Sequence, residues 1–98
     1  MTSVDEIKEL LQKNKKRLGK ELQQSKEAMS LIKKSTHSSL SDEEKEKIKI
    51  QLLDIFKAIP AFGIFMLPGG ALLLPLVIKM IPNILPSAFR EEDESINS

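Results

Sequence analysis

Between Lys57 and Lys79 the chain runs for 21 residues without a charge, and this stretch limits the possible folds more than any other feature. As one straight helix it would reach roughly 31 Å, close to the hydrocarbon thickness of a bilayer. Eleven of its residues are Leu, Ile, Val or Phe, each favouring insertion by about 0.3–0.6 kcal/mol at a helix centre. Lys57 and Lys79 bracket the run and can extend their ammonium groups towards two interfaces. The run lies too far from Met1 to be a cleaved signal peptide. Against a plain span stand Pro60, Pro68, Gly69, Gly70 and Pro75. Each Pro removes an N–H donor and clashes with the preceding turn, and in lipid the freed carbonyls need new partners. Short helices over 60–67, 70–80 and 83–88 meet the same constraints, with Pro60, Pro75, Pro82 and Pro86 in first turns, where Pro is tolerated. The residues alone leave two readings: a segment embedded in lipid, or the core of a helical module.

The rest of the 98-residue chain is of opposite character. Residues 1–57 carry 13 Lys/Arg and 10 Asp/Glu, and the end carries Arg90 followed by four acids. Three parts follow: a charged amphipathic hairpin over 1–57, the apolar Pro-punctuated segment over 58–89, and a short acidic tail over 90–98 that is too polar to bury a core and is expected to be disordered. With no Cys, disulfides and thiolate metal sites are excluded.

The N-terminal part reads as helix. Ser3 and Glu6 have capping-box spacing, and Asp5 and Glu6 suit the positive end of the helix dipole. Val4, Ile7, Leu11, Leu18, Leu22, Met29 and Ile32 recur at steps of three, four or seven, which predicts one long helix over about 4–34. Gly19 weakens it by about 1 kcal/mol relative to Ala, while Glu9 and Lys13 form a favourable i,i+4 pair worth about 0.3 kcal/mol. After the polar turn 35–39, Ser41 and Glu44 repeat the capping box. A second helix then carries Ile48, Leu52, Ile55 and Ile59 on one stripe, widened by Leu53 and Phe56. It should start at Ser41 and run to at least Ala58, and Pro60 pushes Ile59 out of the helical region. The fold class is all-α: an N-terminal helical hairpin, too poor in apolar residues to stand alone, followed by a Pro/Gly-broken apolar helical segment.

Few residues offer chemistry. His37 has no second His or Cys nearby and reads as a solvated loop residue, since metal sites need several converging ligands. No nucleophile, base or metal constellation is visible, so neither an enzyme nor a cofactor nor a small-molecule substrate is expected. The basic run Lys13, Lys15, Lys16 and Arg17 is a candidate contact for ribosomal RNA or anionic lipid, where each cation contributes about 1 kcal/mol near the surface. Its bland alternative is a solvated helix face. No aromatics interleave it, and a net charge of +1 argues against sequence-specific nucleic-acid binding.

Residues 54–89, ending in P-N-I-L-P-S-A-F, resemble the LETM family, the leucine-zipper/EF-hand-containing transmembrane proteins of the mitochondrial inner membrane and their bacterial relatives. The matching positions are Lys57, Ile59, Pro60, Pro68, Leu73, Leu74, Pro75, Lys79, Pro82, Asn83, Leu85, Pro86, Ser87 and Phe89, with the spacings of the prolines kept. The resemblance implies a membrane-embedded helical segment in a mitochondrial or bacterial inner membrane. It also implies a role in cation/proton exchange and organelle volume, or in docking ribosomes and other helical membrane proteins. Family members continue beyond this motif into a ribosome-binding helical domain, which implies either a piece of a longer protein or a small protein keeping only the membrane motif. Two departures bear on the chemistry. Ala71 stands where the family often has Glu, and no acid lies between Asp54 and Glu91, so the carboxylate that would carry an exchanged proton or cation is missing from the segment. No EF-hand loop is present either. The excess of cations before the segment predicts a cytoplasmic N-terminus, the reverse of the family's arrangement. The alternative to a membrane component is a soluble, cytoplasmic all-α interaction domain of a LETM-related protein, with 58–89 as its core. Lys79 separates the two, reaching for an interface in the first and lying on a solvated face in the second.

Overall fold

The computed structural model of the protein describes residues 3–86, 88 and 89. They form five α-helices, α1 (Val4–Lys13), α2 (Lys15–Gln23), α3 (Lys26–Ser35), α4 (Asp42–Lys57) and α5 (Leu74–Ile84), with two 3₁₀ segments, Pro60–Met66 and Gly70–Leu73, between α4 and α5. No strand occurs among the described residues, as the all-α pattern predicts. Ser87 and the tail expected to be disordered, 90–98, lie outside the described residues.

The predicted single N-terminal helix is in fact three. Asn14 interrupts it, with its side-chain amide donating to the Leu10 carbonyl at 2.9 Å, a local bond that competes with helix continuation. Ser25 interrupts it again: its hydroxyl accepts from the Ala28 N–H, so a new N-terminus begins there. The apolar spacing of three, four and seven runs on across both breaks, which is why the sequence pattern conceals them. The breaks let α1, α2 and α3 wrap the core. Of the predicted stripe, Ile7, Leu11, Leu18, Leu22 and Ile32 are buried and Met29 is partly so, whereas Val4 is exposed.

The hairpin consists of α3 and α4. Lys34 reaches Glu44 at 2.6 Å, while Ser25 and Glu27 both bond Gln51. The partner number falls as the residue number rises, so the two helices run antiparallel. The capping box at α4 is complete: Glu44 N–H donates to Ser41 Oγ at 3.1 Å and Ser41 N–H donates to Glu44 Oε1 at 2.9 Å. The Lys34 hydrogen bond, then that of the Ser41 N–H, hold the Glu44 carboxyl down at about 2. The helix ends at Lys57 with Ala58 as its C-cap, one residue short of the expected end, and Ile59 is extended as expected, at φ −121° and ψ 100°.

The apolar segment folds back onto these helices and completes their core. Phe56, Phe62 and Phe65 form a triad with ring centroids 4.8, 4.9 and 5.9 Å apart, and Leu74, Val77, Ile81 and Leu85 join the same buried cluster as Leu11 and Leu22. The turn between the 3₁₀ segments depends on two glycines. Gly69 adopts φ +84°, a left-handed conformation that other residues seldom take. Gly70 is buried so closely that a Cβ would lie 2.3 Å from the Ile64 carbonyl oxygen. Pro75 lies in the first turn of α5, as expected, but α5 continues through Pro82 to Ile84 rather than ending near 80. Pro82 has no N–H to offer the preceding turn, and the helix ends two residues after it. Among the described residues no single helix is long and apolar enough to cross a membrane. Pro60–Met66 and Gly70–Ile84 pass that test only together, bent by 105°.

Candidate functional site: a basic groove at the end of α5

The four cations of the basic run have different fates. Lys13 pairs with Glu9 at 2.9 Å within α1. Arg17 reaches across to α4, where its Nη2 donates to the Ala58 carbonyl at 2.6 Å. That carbonyl sits at the negative end of the α4 dipole, where a cation is favourable, so Arg17 ties α2 to α4. Lys15 and Lys16 remain exposed and line an open groove of about 790 Å³ between α2 and the C-terminal end of α5.

The opposite wall of this groove is built from the Pro-Asn motif. Asn83, Ile84, Leu85, Pro86 and Ala88 line it, facing Lys15, Lys16, Gly19, Lys20 and Gln23. Two sequence features more than 60 residues apart, the basic run and the P-N-I-L-P-S-A-F ending, therefore meet in one place. No acidic residue lines the groove among the described residues, and no aromatic does either. Lys20 is a groove residue that the sequence reading missed. It follows Lys16 by one helical turn, and that i,i+4 spacing was the available signal. Gly19 is buried where α2 meets the end of α5, and a Cβ added there would lie 3.7 Å from Leu85 Cδ2, an ordinary van der Waals contact, so the approach does not require a glycine.

The remaining motif residues that the structure describes serve the fold or the surface. Pro60 starts the first 3₁₀ segment, and Pro68 occupies the turn between the two. Pro82 is half-buried within α5, and Phe89 packs part-buried against the core. Lys79 is exposed. Among the described residues no group of three or more His, Cys, Asp or Glu is placed to hold a metal ion.

Chemically, the groove presents three ammonium groups and the Asn83 amide beside an apolar floor. It can hold an anionic group of a larger partner by charge and hydrogen bonding. Among the described residues that line it there is no nucleophilic hydroxyl or thiol.

The fold and groove thus define an all-α module with a basic recess built around a proline-rich helix end. The LETM1-like, RBD family profile matches residues 40–98, and the chain belongs to that family. A curated relative, the LETM1 domain-containing protein YLH47, mitochondrial, of Saccharomyces cerevisiae, is 30% identical over 67 residues, which are 68% of this chain and 15% of the relative. This chain therefore spans a small part of that protein's length. No solved structure matches the chain. The family match begins at residue 40, so α1–α3, with the lysine wall of the groove, lie outside it.

Proposed function

We propose that this protein is a non-enzymatic LETM1-type docking module that works at an inner membrane, mitochondrial or bacterial, and engages the ribosome through the phosphates of its RNA. One observation carries this reading: Lys15, Lys16 and Lys20 converge on Asn83 and Pro86 in a groove lined, among the described residues, by no acidic side chain. Three ammonium groups in one recess suit a phosphodiester backbone. The absence of aromatic lining among the described residues suits binding by charge without base readout. The mitochondrial designation of the yeast relative and the family's Pro-rich motif support the location. Cation/proton exchange is not part of this reading, because the segment from 55 to 90 has no carboxylate to carry an ion through an apolar layer.

The test is sedimentation of the purified chain with ribosomes over a salt series. Lys15→Glu, Lys16→Glu and Lys20→Glu combined should abolish co-sedimentation. The wild-type salt dependence should fall with a slope of roughly two to three phosphate contacts on the usual log–log plot. A control variant, Lys45→Glu with Lys47→Glu on the outer face of α4, should bind as wild type. Equal loss in both variants, or no binding by wild type, would overturn the proposal.

A further inference from the structure

The basic groove has a fitting occupant in the same chain. Ala88, on its α5 wall, is followed in the sequence by Phe89, Arg90 and then Glu91, Glu92, Asp93 and Glu94. We infer that this acidic run, 91–94, docks in the groove against Lys15, Lys16 and Lys20, as an intramolecular plug that an anionic partner must displace. The inference rests on the groove as the binding site proposed above and adds its regulation.

Three observations select this occupant. The first is charge. Lys15, Lys16 and Lys20 are exposed, and the ion pairs among the described residues, Lys13–Glu9, Lys34–Glu44 and Lys57–Asp54, involve none of them. One Arg and four acids give the run and its lead-in a net −3, opposite to the three lysines. The second is reach. At no more than about 3.6 Å per residue, the Glu91 Cα lies within about 11 Å of the Ala88 Cα and that of Glu94 within about 22 Å. A tether of this length holds the carboxylates at a local concentration on the order of millimolar. The third is spacing. In an extended chain, side chains two residues apart point the same way and lie about 6.6 Å from each other. Lys16 and Lys20, one turn apart on α2, are separated by about 6 Å along the helix axis. Glu91 with Asp93, or Glu92 with Glu94, therefore matches the lysine pair.

Ion pairs in a solvent-open groove are individually weak, and salt screens them. The plug is therefore displaceable. A polyanion with more charges than the run offers can remove it, and a partner with one or two cannot. The same lysines that would bind phosphates thus set a threshold for what enters.

The experiment uses the full chain. It has no cysteine, so Ser95→Cys provides a single site for a nitroxide label just beyond the run. In NMR spectra the label should broaden the amides of Leu18 and Gly19 more than those of Lys45 and Lys47 on the outer face of α4. That excess should vanish at about 0.5 M salt and in Lys15→Glu, Lys16→Glu and Lys20→Glu combined, which should keep the wild-type circular dichroism. Separately, Glu91→Gln, Glu92→Gln, Asp93→Asn and Glu94→Gln combined should bind polyuridylate about three- to tenfold tighter than wild type at low salt, because a site filled by its own plug shows a reduced apparent affinity. Broadening that is the same in wild type and the lysine variant would overturn the plug. So would polyuridylate binding of equal affinity with and without the four acids. A gain in affinity without charge-dependent broadening would mean repulsion at a distance and overturn it too. Broadening passed from labelled chains to unlabelled ones in a mixture would place the run in the groove of a second copy, against an intramolecular plug. Charge-dependent broadening with no polyuridylate binding by either chain would overturn the RNA reading and support the run as the groove's own occupant.

Discussion

The two halves of the molecule treat apolar side chains in opposite ways. Over α1–α3 they are sparse, and the fold uses nearly all of them: Ile7, Leu11, Leu18, Leu22, Ala28, Leu31 and Ile32 are buried, and Val4 is the large exception. Over the 3₁₀ segments and α5 they are abundant. Phe62, Phe65, Leu74, Val77 and Ile81 are buried, yet Met66, Leu67 and Leu72 stand in solvent. The charged half completes a core by placing a few residues at helical spacing. The apolar half supplies more hydrophobic surface than one core of this size can cover. Hydropathy alone therefore identifies neither the core nor the surface of this chain, and position within the turn or helix decides.

The strongest way to break this comparison is to remove a residue of the apolar half that the core does use. Phe62 is fully buried against Phe56 and Phe65. Phe62→Ala should cost about 3–5 kcal/mol, from lost burial and the cavity left behind, measured by chemical denaturation. A cost under about 1 kcal/mol would mean that the segment does not pack on α4, and the comparison would fail.

Gly70→Ala comes next. Its added methyl would meet backbone, the Ile64 carbonyl and the Phe65 Cα, neither of which can swing aside. The expected loss is about 1–3 kcal/mol by overpacking, read from the same denaturation curves. Insensitivity would show that the turn holding Leu67 and Leu72 outward is not fixed by this contact.

How far the sequence discloses the structure depends on the range of the interaction concerned. The Ser41–Glu44 capping box, the α4 stripe and the extended Ile59 all follow from neighbours within four residues, and all are present. The breaks at Asn14 and Ser25 are equally local. They escaped because a leucine spacing compatible with one helix overrides weak polar signals in any periodicity argument. The sites of Lys13 and Arg17 were legible as charges but not as roles, since the bond of Arg17 to Ala58 joins residues far apart in the chain. The groove was illegible for the same reason. Each wall is visible as a motif, but only the packing of α2 on the end of α5 brings them together. The exposure of Leu72 was also hidden, because sequence marks it as apolar and says nothing about how much apolar surface the core can accept.

A smaller effect probes the charged half, where stability rests on caps as well as on burial. Ser41→Ala should cost about 1 kcal/mol through loss of the α4 cap. The pH dependence sharpens the point. The Glu44 carboxyl is lowered from 4.5 to about 2 in the folded state, so its contribution is present above the unfolded value and is lost as pH falls through the window from about 5 to about 2. Tm in that window should fall more steeply for wild type than for Glu44→Gln. Parallel curves would mean that the bonds of Glu44 to Lys34 and Ser41 do not persist in solution.

The smallest expected effect is the most discriminating, because it uses the residue type of the core at a position outside it. Leu52, fully buried on α4, and Leu72, 83% exposed, have identical side chains. Leu52→Ala should cost on the order of 2–5 kcal/mol, whereas Leu72→Ala should shift stability by no more than about 0.5 kcal/mol. The transfer of a leucine side chain out of water is the same physical quantity in both cases, so the difference between the two measurements reports burial directly. A large cost at Leu72 would mean that the turn is covered in the folded protein in water, by the chain itself or by a second copy. The contrast between a half that uses its apolar residues and a half that has them to spare would then disappear. A negligible cost would leave Leu72 with no part in folding, as its exposure implies.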